Sequence, residues 1–317
     1  MTLCKIWIPS WQKYIQMYEI SCEQYRHLLK NIDDSSEFDF LLNQLLIQNM
    51  WDKNINVEDF TIIDKFIIFL QLRVISCGRT LNLTSTCGDC QTPTEFTVDL
   101  NNILDESVTI LDRSFKKTFN FQKYILVCDI PAICLNEDRN SYKASGEDYL
   151  NAYMFSFFQN IQIYDSLIDL KTLTIPEKHT ICSSLPFALM TLVKKNYIDE
   201  IHQIMTNTIV VQNICSKCQK KLSLNIDINN ITDVIKVLFQ NDSALNILGK
   251  YANISANCHL DYNFYKNINP LELEVLYNMS KGSSSATSTN NSEQDINLFD
   301  QFKLNDEEMV ESPSEFK

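Results

Sequence analysis

The chain has 317 residues, 45% of them hydrophobic, which is enough to build one elaborated domain or two. Its 27 basic and 40 acidic residues leave a net charge of −13, which disfavours a nucleic-acid surface, because phosphate backbones require clustered Lys and Arg. With five glycines, no GxGxxG and no GxxxxGK[ST], a phosphate-cradling loop is excluded as well. Residues 3–20 alternate loosely around Pro9-Ser10 and predict two short strands about a turn. Ser21-Cys22-Glu23-Gln24 is a capping box that opens a helix to about Asn31. Asp33-Asp34-Ser35-Ser36 caps a second helix, with Phe38, Leu41, Leu42, Leu45 and Leu46 at helical spacing. Asp59 or Thr61 opens a third, Ile62 to Ile75, apolar nearly all round and so expected at the centre of the core. Gly78 ends it.

A strand-like hairpin follows, with Cys87-Gly88-Asp89-Cys90 at its tip. Leu81 and Leu83 alternate before the cysteines, and Phe96, Val98 and Leu100 after them. Residues 104–135 alternate again through Phe119, Phe121, Ile125, Val127 and Ile130, predicting a small β-insert. From Glu147 the pattern turns helical: Tyr149–Tyr164, then Pro176 at a first-turn position, then Phe187 to about Met205. A second strand-like hairpin spans 209–228, with Cys215-Ser216-Lys217-Cys218 at its tip and Leu222, Leu224, Ile226 and Ile228 alternating after it. Thr232 or Asp233 caps Val234–Gln240, and Asn269-Pro270 caps Leu271–Met279.

The two cysteine hairpins are an internal repeat. In both, an apolar residue (Phe96, Leu224) falls six positions after the second cysteine and an Asp (Asp99, Asp227) nine positions after it. The repeat makes Cys87, Cys90, Cys215 and Cys218 one set, although residues 91–214 separate the pairs. Two hairpins tipped by CxxC are the halves of a Cys4 zinc ribbon, whose metal takes four thiolates at about 2.3 Å. The ribbons usual in sequence separate their pairs by only about 15–20 residues. Loop closure rises logarithmically with length, so the long insertion is tolerable. Reduced structural thiols and a disulfide are the competing readings. A thioredoxin-type redox motif would open a helix, and these flanks read as strands.

Eleven cysteines, an odd number, and an N-terminus without a basic region and apolar core predict reduced thiols in a cytoplasmic compartment. The longest apolar run, Phe66 to Leu70, is far short of the roughly 18 residues a membrane span needs. His27, His179, His202 and His259 are scattered, with no HExxH. Cys258-His259 is the single adjacent soft-ligand pair and carries little. No catalytic constellation, substrate pocket motif or cofactor loop occurs, so the expectation is a protein that is not an enzyme. The basic pairs Lys116-Lys117, Lys194-Lys195 and Lys220-Lys221 read as solvated faces. The last of them lies on the second cysteine hairpin and keeps a zinc-ribbon regulator of nucleic acid or a polymerase as the alternative function.

After Ser280 the composition changes to a Gly/Ser/Thr/Asn run and an acidic tail, predicted disordered. Within it Ile296, Leu298, Phe299, Phe302 and Leu304 cluster at roughly helical spacing and are candidates for docking a partner. The expected fold is α+β: a helical body with a split zinc ribbon and a small β-insert. The expected folded body is 1–280, divided as 1–80, 81–103 (first hairpin), 104–208, 209–231 (second hairpin) and 232–280. The tail is 281–317.

Four places together resemble the baseplate hub subunits of T-even-like tailed phages. Ile8-Pro9-Ser10 with Tyr18-Glu19-Ile20-Ser21 and Gln24-Tyr25 is similar to that family's strand–turn–strand leading into a helix, here Gln24 to Leu29. Asp64, Leu70, Leu72-Arg73, Ser76 and Gly78 resemble its central helix. The hairpin directly after stands where members often carry CxxC pairs. Phe264-Tyr265, Asn269-Pro270-Leu271-Glu272 and Leu276-Tyr277 resemble its closing segment. The resemblance implies a non-enzymatic virion component or assembly factor of a contractile tail's hub. It would be made in the host cytoplasm and work by contact with other tail and hub proteins.

Overall fold

The computed structural model describes residues 2–111, 114–131, 154–207, 209–226, 228, 231–240, 242–259 and 261–283. The chain opens with a hairpin of β1 (Leu3–Ile8) and β2 (Lys13–Tyr18), paired antiparallel with Trp7 opposite Tyr14. Then come α1 (Cys22–Lys30), α2 (Ser35–Asn49) and α3 (Ile62–Cys77). The first cysteine hairpin is β3 (Thr80–Thr86) with β4 (Pro93–Asp99), followed by α4 (Leu100–Leu111). A four-stranded antiparallel sheet runs in chain order through β5 (Lys117–Phe121), β6 (Tyr124–Cys128), β7 (Phe158–Ile163) and β8 (Ser166–Asp169). Next are α5 (Ile175–Ser183), α6 (Phe187–Val193), a π-helical turn over Lys194–Ile198, and α7 (Asp199–Asn207). The second cysteine hairpin is β9 (Ile209–Ile214) with β10 (Lys221–Ile226). It is followed by α8 (Ile231–Phe239), α9 (Ala244–Cys258), α10 (Tyr262–Asn267) and α11 (Pro270–Ser283).

Helix α3 starts where its sequence says it should: the Thr61 hydroxyl accepts from the Asp64 amide, and the Asp64 carboxylate accepts from the Thr61 amide. It ends at Gly78, whose φ of 85° is open to glycine and costly for a side chain. Between these points Phe66, Ile67, Ile68, Leu70 and Leu72 are wholly buried, and β1, α4, α8 and α11 pack around them. Four polar side chains share that burial, and all four bind backbone groups outside the helix. Gln71 accepts from the Trp7 amide at 3.0 Å and donates to the Trp7 carbonyl at 3.1 Å, sealing part of the outer edge of β1. Ser76 accepts from the Ile20 amide at 2.8 Å. Asp64 accepts from the amide and hydroxyl of Ser10. Arg73 donates to the carbonyls of Leu238 (2.7 Å), Thr80 (3.2 Å) and Gly78.

Other cross-links run the same way. The Tyr25 hydroxyl donates to the Phe239 carbonyl, tying α1 to α8, and the Ile62 amide donates to the Pro131 carbonyl at the end of the sheet. Buried Glu19 receives the Thr2 amide and the Asn269 side chain, which joins β2 to the N-terminus of α11.

Three expectations are corrected. The helix expected over Tyr149–Tyr164 falls partly outside the described residues; where described it keeps a helical stretch at 154–156 and then yields to β7, held between β6 and β8. The β-insert expected over 104–135 is displaced: residues 100–111 are helical, with Leu100, Ile103 and Leu111 inward, and the sheet draws its other strands from 158–169. Helix α9, over 244–258, lies where no element was expected. Residues 284–317, with the five candidate docking residues, lie outside the described residues. No described helix is long and apolar enough to cross a membrane.

Replacing Arg73 by Met should destabilise the fold by on the order of 3 kcal/mol, because one buried and two partly buried carbonyls lose a charged donor. The check is a lower urea midpoint with an unchanged slope. Burial pushes the Cys77 and Cys182 thiols up to about 12, although Arg73 and Lys178 respectively pull them down. The neutral thiols therefore contribute stability that is complete below the ordinary thiol value near 9 and lost as pH rises from there toward 12. Thermal melts across that window should fall steadily, and substituting both residues by Ala should flatten the decline.

Candidate metal centre

Each cysteine hairpin turns by the same local chemistry. The Cys87 amide donates to the Thr92 carbonyl at 3.0 Å and the Gln91 amide to the Cys87 carbonyl at 2.9 Å. In the second copy the Cys215 amide donates to the Lys220 carbonyl at 2.8 Å and the Gln219 amide to the Cys215 carbonyl at 3.0 Å. The residue after the second cysteine is left-handed in both, with φ 54° at Gln91 and 59° at Gln219. Each of these glutamines donates its side-chain amide to the carbonyl three residues back, Gly88 at 3.0 Å and Ser216 at 3.4 Å. That bond offsets part of the cost of a left-handed, non-glycine backbone. Sequence reasoning missed this pair, although the signal was present: the repeat reads C-G-D-C-Q and C-S-K-C-Q.

The two tips face each other. The Sγ atoms of Cys87, Cys90, Cys215 and Cys218 all lie within 4.8 Å of one another, so these four residues could hold a metal ion. Cys87 meets Cys218 at 3.6 Å and Cys90 meets Cys215 at 3.5 Å. The first cysteine of each hairpin thus touches the second of the other, and Cys87 and Cys215 are buried while Cys90 and Cys218 are half-buried. Both relations map onto themselves when the hairpins are exchanged, as an approximate two-fold requires. The position equivalent to Asp99, Asp227, lies outside the described residues. Asp99 itself accepts from the Asn101 amide at the start of α4 and meets Arg79 at 3.6 Å.

The donor set fits a tetrahedral soft cation. Four sulfurs each about 2.3 Å from one centre would stand about 3.8 Å apart, close to the contacts seen. The electrostatics point the same way. Amides of Cys218 and Lys217 hold Cys215 down at about 6, and hydrogen bonding from Thr92 holds Cys90 below its ordinary value. The Lys220 amide pulls Cys218 down too, but burial and the sulfurs of Cys87 and Cys215 win and push it up to about 12. Contacting thiols cannot all ionise without a cation among them. Around the tips, Lys220 pairs with Asp89 at 2.8 Å across the two hairpins, and the Asn213 side chain donates to the Glu95 carbonyl at 3.0 Å. The ion pair is solvent-exposed and contributes little by itself.

Against known proteins, the family model described as T4 bacteriophage base plate protein matches residues 1–236 of the 317. All four cysteines lie inside that match, while the closing segment at 264–277 lies wholly beyond it. No curated protein and no solved structure matches the chain.

The repeated glutamine gives a direct test of the knuckle geometry. Gln219→Gly should leave thermal stability nearly unchanged, whereas Gln219→Val should lower it by about 1–2 kcal/mol, since a β-branched residue resists the left-handed region. Melting curves of the two variants side by side decide it.

Proposed function

Because the chain belongs to the T4 bacteriophage base plate protein family, we propose that it is a structural or assembly component of the hub of a contractile phage tail. It works by contact and not by catalysis. The observation that carries this reading is the convergence of four cysteines, from hairpins far apart in sequence, within the matched part of the chain. We assign to Cys87, Cys90, Cys215 and Cys218 one structural zinc, which makes the two hairpins a split Cys4 ribbon. Four thiolates close a tetrahedral site and leave no open position for a substrate. The ribbon's task is mechanical: it fastens the strand pair that follows α3 to the strand pair that precedes α8, so the surfaces shown to neighbouring tail proteins keep their shape.

In this reading residues 1–280 form the body, assembled in the host cytoplasm and carried in the virion tail. The tail after 280 engages partners through Ile296, Leu298, Phe299, Phe302 and Leu304. The alternative, a zinc-ribbon regulator of nucleic acid or a polymerase, has Lys217, Lys220 and Lys221 at the second knuckle in its favour. Lys220, however, is already paired with Asp89, and the chain as a whole is strongly acidic.

Elemental analysis of the purified chain should find one zinc per molecule, and Cys87→Ser or Cys215→Ser should give metal-free, poorly soluble protein. Phage carrying either substitution should yield tails without complete baseplates. Native protein with no zinc and eleven free thiols would overturn the metal assignment. Tight sequence-specific DNA binding at physiological salt, with normal tails from the variants, would favour the regulator instead.

A further inference from the structure

The outer face of the β1–β2 hairpin is aromatic and open. Alternation puts Cys4, Ile6, Ile8, Ile15 and Met17 inward, and Leu3, Lys5, Trp7, Tyr14, Gln16 and Tyr18 outward. Trp7 and Tyr14 stand opposite each other with ring centroids 5.0 Å apart. Trp51 extends the face: its amide donates to the Gln16 carbonyl, and its ring lies 5.8 Å from Tyr18. Ile47 and Phe40, seven residues apart on α2, carry the stripe onward. Tyr14 is 64% exposed, Phe40 56% and Trp51 54%, a concentration of large rings that a solvated surface does not need. The lysines nearest it are Lys5, outward on β1, and Lys53, which donates to the Ile47 and Gln48 carbonyls near the end of α2, with Asp52 between Trp51 and Lys53 as the acidic neighbour.

We propose that this face is covered by the chain's own C-terminal segment, residues 295–304. The inference deepens the docking role given to that segment above by naming its first surface, and it rests on that reading. Ile296, Leu298, Phe299, Phe302 and Leu304 supply the apolar side, and Asp295, Asp300, Asp306, Glu307 and Glu308 supply charges opposite to those of Lys5 and Lys53.

The geometry allows the chain to return. Helix α11 begins beside the hairpin, where Asn269 donates to Glu19 at 2.8 Å, next to Tyr18. Its 14 residues carry the chain about 21 Å away. The intervening residues 284–294 span roughly 18 Å as a flexible coil and about 37 Å when extended, so one molecule can close on itself. An intramolecular contact of this kind forms at a millimolar-range effective concentration, which suffices for a weak interface that a tail protein can displace during assembly.

Tryptophan emission reads this face, because Trp7 and Trp51, two of the chain's three tryptophans, lie in it, while Trp11 packs on buried Phe60 and supplies a constant background. Full-length protein should be compared with the full-length variant Phe299→Ser/Phe302→Ser, at several protein concentrations and at low and high salt. The variant should show red-shifted emission and faster amide exchange over 3–18 and 47–52, with no dependence on protein concentration. High salt should move the wild type part of the way toward the variant. A second full-length variant, Leu3→Ser/Tyr14→Ser, should expose residues 295–304 to faster proteolysis. Identical emission and exchange in wild type and tail variant would overturn the proposal. So would a difference that appears only at high protein concentration, which would make a second copy the occupant. If emission is unchanged yet the tail variant still blocks assembly, the segment docks on other proteins and only the self-covering fails.

Discussion

A guanidinium cannot be left without acceptors in a protein interior, and Arg73 is buried to 2% exposure in the second half of a largely apolar helix. Its acceptors are main-chain carbonyls at two places remote in sequence: Gly78 and Thr80 where the chain enters the first cysteine hairpin, and Leu238 near the end of α8. Hydrophobic burial holds α3 in the core but does not by itself choose its rotation or height, because the effect is non-directional. The directional bonds make that choice. Arg73, Gln71, Ser76 and Asp64 fix α3 against α8, β1, the β2–α1 junction and the β1–β2 turn respectively, and Gly78 releases the chain in the one direction that reaches β3. Asp64, Arg73, Ser76 and Gly78 are also residues of the motif singled out in this helix from the sequence, and the packing gives each of them a physical task.

The cysteine cluster closes the same segments from the other side. Arg73 joins the root of the first hairpin to the helix that follows the second, and the four sulfurs bring the two tips together. The hairpins are thereby fastened at both ends, although more than a hundred residues intervene. Such an insertion adds little closure entropy, and α4, the four-stranded sheet and α5 to α7 fold within it. Neither hairpin can swing without breaking a buried charge contact or the thiol cluster.

A chain with five glycines must turn by other means. Gln12, Gln91, Gln122 and Gln219 all occupy the left-handed region at hairpin turns, at an intrinsic cost of about 1–2 kcal/mol each. Gln12, Gln91 and Gln219 each return a side-chain hydrogen bond to the carbonyl three residues back, at Pro9, Gly88 and Ser216. Glutamine here does what glycine does elsewhere, with the amide bond offsetting part of the strain.

What the sequence determined is what depends on neighbours along the chain. The capping boxes of α1 and α3, the all-round apolar character of α3, the first hairpin and the membership of four cysteines in one set were legible, because capping, periodicity and an internal repeat are local signals. The tertiary structure decided the rest. Phe157, Phe158 and Ile161 are spaced as a helix would space them, and only pairing with β6 and β8 makes that stretch a strand. Residues 100–111 carry inward positions compatible with either reading until α3 packs against them, and α9 has a sequence that declares little without the helices around it. The approach of Cys87 to Cys218 and of Cys90 to Cys215 was likewise beyond the sequence. The repeat said that the two hairpins match, but only a folded body between them brings four sulfurs to one point.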